Sequence, residues 1–126
     1  MRVLTAAHYW LLEESPGSWR VGLTRFATRM LGDIVEFEFS VPPGTALTTG
    51  AEIGSIEGLK AVTTIFSSGT GQFGGENQAL RGDVTLAESD PYGAGWIIKL
   101  KVADESEMSK LMPHAQYEKQ CAEEGH

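Results

Sequence analysis

The stretch that decides the fold lies in the middle of the chain and reads Glu52-Ile53-Gly54-Ser55-Ile56-Glu57-Gly58-Leu59-Lys60-Ala61-Val62-Thr63-Thr64-Ile65-Phe66. Two runs rich in β-branched residues flank a short turn that contains a glycine, which is typical of a β-hairpin. Because a hairpin tip protrudes, Lys60 is expected to present its ammonium group to solvent. A lysine in a turn is ordinary surface chemistry, so its role depends on the motifs around it.

The rest of the chain also predicts a mainly β protein. Glycine and proline interrupt the first hundred residues often, and the segments between them are short and rich in Val, Ile, Phe, Trp and Thr. Apolar and polar side chains alternate along residues 35–41, so one face of that strand should be buried. The predicted strands cover residues 8–12, 19–23, 34–41, 53–57, 61–66 and 96–102.

Two segments depart from the β pattern. Residues 24–31 begin with the capping-type Thr24 and end before Gly32, which predicts a short helix after the second predicted strand. Residues 104–126 begin with an acidic turn and carry a small apolar stripe that includes Met112, which predicts a helical tail interrupted at Pro113. Residues 1–126 are therefore expected to form a single domain.

Composition and charge exclude several classes of function. Seventeen acidic and ten basic residues give a net charge of -7, which opposes binding to a phosphate backbone, so no nucleic-acid partner is expected. Cys121 is the single cysteine and the three histidines are scattered, so neither an internal disulfide nor a metal site is expected. No apolar run is long enough for a membrane span, and a cytoplasmic location is expected by default.

A glycine-rich stretch at residues 69–74 matches the pattern Gly-x-Gly-x-x-Gly of dinucleotide-binding proteins. That chemistry requires the glycines to open a helix within a β-α-β unit, because the helix N-terminus holds the pyrophosphate. The residues that follow are a poor helix start, so a turn-rich β connection is favoured over an NAD-linked oxidoreductase. Gly69, Gly71 and Gly74 are interpreted as backbone devices for turns.

Six short islands, in order, resemble the H protein of the glycine cleavage system, a lipoyl carrier of the biotinyl/lipoyl attachment class. They are His8-Tyr9-Trp10, Val21-Gly22-Leu23-Thr24, Leu31-Gly32-Asp33-Ile34-Val35, Glu57-Gly58-Leu59-Lys60-Ala61, Asn77-Gln78-Ala79-Leu80 and Asp90-Pro91-Tyr92-Gly93-Ala94-Gly95-Trp96-Ile97-Ile98-Lys99. The resemblance implies a barrel-sandwich hybrid of two small antiparallel sheets. It also implies lipoate covalently bound to Lys60, with Glu57, Gly58 and Ala61 as the flanking motif.

The resemblance further implies a carrier rather than an enzyme. A lipoyl ligase or lipoyl transferase would attach the arm, which supplies a two-sulfur redox couple. The arm would then carry an aminomethyl group and reducing equivalents between glycine decarboxylase, aminomethyltransferase and dihydrolipoyl dehydrogenase. A monomer is expected. An unmodified adaptor, whose lysine is never lipoylated, is the alternative outside the carrier class.

Three positions depart from the family pattern. Tyr9 and Thr64 stand where family members place acidic residues that can contact a positively charged cargo, and Gly58 stands where most have serine. His8, Tyr9 and Thr64 are the candidates for the cargo pocket. The departures favour a second carrier hypothesis, in which an H-like lipoate-binding protein serves a sulfur-oxidising, heterodisulfide-reductase-like complex.

Overall fold

The computed structural model describes residues 3–6, 9–103 and 112–113, which contain ten strands and three short helices. The helices are α1 (Arg25–Leu31), α2 (Ala79–Gly82) and α3 (Leu86–Ser89). The strands are β1 (Val3–Ala6), β2 (Tyr9–Ser15), β3 (Ser18–Leu23), β4 (Ile34–Phe39), β5 (Ala46–Leu47), β6 (Glu52–Gly58), β7 (Val62–Phe66), β8 (Gly71–Glu76), β9 (Ile98–Val102) and β10 (Met112–Pro113).

The strands form two antiparallel sheets, which confirms the predicted fold class. The larger sheet has the order β10-β1-β2-β3-β9-β8-β5, and the smaller one has the order β4-β6-β7. Strand β4 ends at Phe39 rather than at Val41, because the chain turns through Pro42 and Pro43. The predicted second strand is the third in the structure, since β1 precedes it.

The core lies between the inward faces of the two sheets. Trp10 is buried outside that core, on the opposite face of β2 from Tyr9 and Leu11, where its indole lies against the backbone of Gly22. A Cβ atom at Gly22 would stand 2.4 Å from that ring. The indole Nε1 donates to the Pro91 carbonyl at 2.7 Å, so this large side chain is buried with its polar atom bonded. The largest fully buried side chains of the core include Trp19, Phe73, Leu11, Leu23, Leu31, Ile53, Ile56 and Ile65.

Helix α1 forms where its caps predict it. Thr24 Oγ1 accepts from the Ala27 N–H at 3.2 Å, and Gly32, with φ of 74°, donates its N–H to the Thr28 carbonyl. The sequence predicts that Phe26, Met30 and Leu31 form the apolar side of this helix. Leu31 is buried in the core, but Met30 is exposed, so the prediction is wrong at Met30. The helix therefore ends in a left-handed glycine whose position fixes where β4 begins.

Most of the predicted helical tail, residues 104–126, lies outside the described residues. Its two described residues, Met112–Pro113, form strand β10, which pairs antiparallel with β1. The predicted helical stripe is therefore wrong at Met112. The physical reason is that β1 supplies backbone partners at the edge of the larger sheet, a place where a strand tolerates proline.

The glycine-rich stretch forms a strand instead of opening a helix. Residues 71–76 are β8, which pairs with β9 and with the two-residue β5. A Cβ atom at Gly71 would stand 1.7 Å from the Lys101 carbonyl oxygen, so Gly71 permits close approach of two strands rather than a left-handed turn. The β connection is confirmed, and the helix that a dinucleotide site requires is not formed there. The interpretation of Gly71 and Gly74 as turn residues is wrong, because both lie within β8 and neither has a positive φ.

Candidate functional site

Lys60 lies at the tip of the hairpin between β6 and β7, as the sequence predicts. Glu57 pairs with Val62, and the Gly58 N–H donates to the Ala61 carbonyl at 2.9 Å to close the turn. Both Leu59 and Lys60 are exposed, and Leu59 has 71% of its surface accessible. The tip thus presents the Lys60 amine beside the exposed apolar side chain of Leu59.

The tip is anchored by backbone hydrogen bonds to the corner between α1 and β4. The Lys60 N–H donates to the Leu31 carbonyl and the Leu59 N–H donates to the Asp33 carbonyl, both at 2.9 Å. The same corner receives a third bond, because the Ile34 N–H donates to Glu88 Oε1 of α3 at 2.7 Å. These bonds hold the root of the Lys60 side chain in a defined place while its end stays free.

Two glycines allow the tip and the corner to meet this closely. A Cβ atom at Gly58 would stand 2.2 Å from the Leu31 carbonyl oxygen, and one at Gly32 would stand 2.9 Å from Lys60 Cγ. The Lys60 stem therefore lies across Gly32. The sequence predicts Gly32 as the end of a helix and as part of a motif but not as the support of the Lys60 stem, and no local signal indicates the role of Glu88.

The flanking residues predicted from the motif surround the tip as expected from their order in the hairpin. Glu57 is exposed, Gly58 is buried against Leu31, and Ala61 is half-buried. Glu57 lies between Glu36 of β4 and Val62 of β7 in the register of the small sheet. At the base of the tip, Glu57 therefore has the acidic Glu36 as its neighbour on β4 and the apolar Val62 as its neighbour on β7.

The structure brings two of the cargo-pocket candidates into direct contact. The Tyr9 hydroxyl donates to the Thr64 carbonyl at 3.1 Å, which links β2 of the large sheet to β7 of the small sheet. Tyr9 is only 8% exposed, and this burial raises the pKa of its phenol, with a hydrogen bond from Thr63 opposing the shift. The contact is therefore made by an uncharged group at neutral pH. His8 lies outside the described residues.

The described residues also bear on two other classes of function, metal binding and membrane insertion. Residues 3–6, 9–103 and 112–113 hold no group of three His, Cys, Asp or Glu side chains arranged to bind a metal ion. In the same part of the chain no helix has the length and apolar character needed to cross a bilayer.

Comparison with known proteins agrees with the fold. Residues 2–124 match the family model described as glycine cleavage H-protein. The glycine cleavage system H protein of Chromobacterium violaceum is 38% identical over 114 residues, covering 90% of this chain and 88% of the relative. That of Cronobacter sakazakii is 36% identical over 111 residues, covering 88% and 85%.

A solved structure shows the same architecture. The crystal structure of a glycine cleavage system H protein from Mycobacterium marinum superposes with a TM-score of 0.77 at 29% identity, and the match covers 96% of each chain. A family match over nearly the whole length, together with relatives above 30% identity, is specific to one family. The chain belongs to the glycine cleavage H-protein family.

Proposed function

We propose that this protein is a lipoyl carrier of the glycine cleavage system and that lipoate is attached to Lys60. The observation that carries the proposal is the placement of Lys60, an exposed amine on a hairpin tip that three backbone hydrogen bonds hold, in a chain of this family. A hairpin tip that is held by hydrogen bonds, with the end of its lysine side chain exposed, makes the amine accessible to a modifying enzyme. It also suits an arm that must swing between active sites.

The residues at the tip fit a long neutral arm. The Lys60 stem lies over Gly32, which has no side chain, and the exposed Leu59 and Val62 border the root of the arm with apolar surface. When bound, lipoate would supply the two-sulfur redox couple and the point of cargo attachment. The protein's own residues hold the arm's root and expose its end.

Partners follow from the proposed function. A lipoyl ligase or transferase would modify Lys60, and glycine decarboxylase, aminomethyltransferase and dihydrolipoyl dehydrogenase would use the arm. The protein itself would act as the carrier component. The relatives reported above all bear the glycine cleavage name, so nothing in the comparisons favours the sulfur-oxidation alternative. The monomeric state and the cytoplasmic location remain predictions.

We infer that Tyr9 and Thr64 form an uncharged wall beside β7 instead of an acidic one. The Tyr9 phenol is buried and engages the Thr64 backbone, so neither residue offers a carboxylate to a positively charged cargo. A charged hydrogen bond contributes about 1.5 to 3 kcal/mol, and a cargo amine would lose that contribution on this wall. The wall therefore predicts weaker retention of an amine-bearing cargo than an acidic pair would give.

Lipoylation of the purified protein tests the assignment of Lys60. Incubation with lipoate, ATP and a lipoyl ligase should add one lipoyl group by intact mass, and Lys60→Arg should abolish the addition because a guanidinium does not form that amide. Lys99→Arg and Lys101→Arg are matched controls on β9 and should be modified like the wild type. Modification of the Lys60→Arg protein, or its loss in either control, would overturn the assignment.

A further inference from the structure

The outer edge of β4 is an open strand edge beside the hairpin tip. In the small sheet of the described residues, β4 pairs with β6 on one side and has no strand on the other. The Ser40 N–H donates to the Ile53 carbonyl of β6 at 2.9 Å. Because backbone groups alternate along an antiparallel strand, the N–H and C=O groups of Phe37 and Phe39 point away from β6.

A groove runs along this edge. One part, of about 380 Å³, is lined by Val35, Phe37, Leu80 and Val84, and an adjoining part of about 640 Å³ continues past Phe39 toward β8. Both volumes fall in the range of ligand pockets. The lining mixes polar and apolar groups, with the ion pair between Arg81 and Glu76 beside the apolar Leu80 and Val84. The backbone groups of Phe37 and Phe39 therefore face a space that a further chain segment can enter.

The outward face of the same strand is acidic. Glu36 and Glu38 are exposed, and no ion pair among the described residues involves either carboxylate. The neighbouring β6 adds Glu57, directly opposite Glu36. A strand added at this edge would place alternate side chains beside Glu36 and Glu38, and the intervening side chains beside the half-buried Phe37 and Phe39.

We propose that the β4 edge binds an extended peptide segment of a partner protein in which basic residues alternate with apolar ones. The backbone of Phe37 and Phe39 would provide the hydrogen bonds, the two glutamates would pair with the basic side chains, and the groove would receive the apolar ones. A second copy of this chain is disfavoured, because pairing β4 with itself would place glutamates opposite glutamates.

The β4 edge lies beside the hairpin tip, so a segment bound there would bring its parent protein close to Lys60. β4 begins at Ile34, which pairs with Gly58, and the preceding residues 31–33 hold the hairpin tip through their carbonyls. A segment bound along β4 would therefore tether its parent protein next to the root of the Lys60 side chain. The inference does not depend on lipoylation, so it can be tested on the unmodified protein.

The test is amide hydrogen exchange followed by NMR, with the peptide acetyl-Lys-Val-Lys-Val-Lys-Val-amide as the probe. At a free peptide concentration ten times Kd, exchange at the Phe37 and Phe39 amides should slow about tenfold, because only the unbound fraction exchanges. The Ser40 amide, which is already bonded to Ile53, should change little. A peptide with glutamate in place of lysine should not bind.

Matched variants separate edge pairing from general charge attraction. The pair Glu36→Gln with Glu38→Gln should weaken binding about fivefold, as expected for the loss of two cross-strand charge pairs. The pair Thr48→Lys with Gln72→Lys makes the same net charge change at two exposed positions, one just after β5 and one on β8, and should leave Kd within about twofold.

Any of four results would overturn the proposal. One is absence of binding at millimolar peptide, and another is binding without protection of the Phe37 and Phe39 amides. The third is an equal loss of affinity in both variant pairs. Protection of those amides that rises with protein concentration in the absence of peptide would instead show self-pairing and would also overturn it.

Discussion

Replacing Gly58 by alanine tests the close contact that holds the hairpin tip. The added Cβ would stand 2.2 Å from the Leu31 carbonyl oxygen and 2.9 Å from Leu31 Cβ, whereas unstrained contacts are about 3.5 Å. The tip must therefore retreat by about 1 Å, which takes the 2.9 Å Lys60–Leu31 hydrogen bond beyond bonding distance. Gly58 has no left-handed φ, so the effect comes from this overlap alone.

The expected cost follows from the contacts that are lost. Overpacking costs about 1 to 3 kcal/mol, and each weakened tip hydrogen bond adds about 1 kcal/mol. The lower entropy of the unfolded alanine chain returns about 0.4 to 1 kcal/mol. The free energy of unfolding should therefore fall by about 2 to 3 kcal/mol. For a chain of this length the midpoint temperature should drop by roughly 8 to 12 °C.

Urea unfolding of the unmodified protein, followed by tryptophan fluorescence, measures this change. Gly82→Ala is the matched control, because a Cβ there meets nothing within 4 Å, and it should be neutral or slightly stabilising. Gly58→Ser adds the same Cβ atom and should be as costly as alanine in this chain. If the unfolding free energies of both Gly58 variants lie within about 0.5 kcal/mol of the wild type, the close contact between Gly58 and Leu31 is refuted.

Three further predictions concern other parts of the fold. Gly71→Val should lower the unfolding midpoint in differential scanning calorimetry, because its Cβ would overlap the Lys101 carbonyl, and titration calorimetry of the wild type should show no NAD binding. Asn77→Ala should cost at least about 2 kcal/mol in urea unfolding, because Asn77 donates to the Ala94 and Trp96 carbonyls and accepts from the Ala79 N–H. Tyr9→Phe should cost about 1 to 2 kcal/mol at pH 7, by loss of the bond to Thr64. Since burial raises the pKa of Tyr9, the wild-type advantage should be complete below pH 10 and shrink as pH rises above it; a constant difference from pH 7 to 11 would contradict the buried phenol.

Several local features of the fold could be predicted because their causes are local. The helix at α1 depends on Thr24 and Gly32, which cap its two ends within one segment of chain. The hairpin depends on two strand-like runs around a short turn, and it places Lys60 at the exposed tip. Strands β1, β5, β8 and β10 were not predicted. β5 and β10 are two-residue edge strands, which are defined by their neighbours rather than by their own residues, and β8 contains three glycines, which are depleted in strands.

The sequence by itself determined the mainly β class, the capped helix, the hairpin with Lys60 and, through six ordered motifs, the family. Only the tertiary structure decided how the tip is held and what lies beside it. The bonds from Lys60 to Leu31 and from Ile34 to Glu88 join residues 29 and 54 positions apart along the chain. Such contacts have no local pattern, because they depend on how close two folded segments come. The same reason explains why Tyr9 could be singled out from the sequence while its burial and its bond to Thr64 could not.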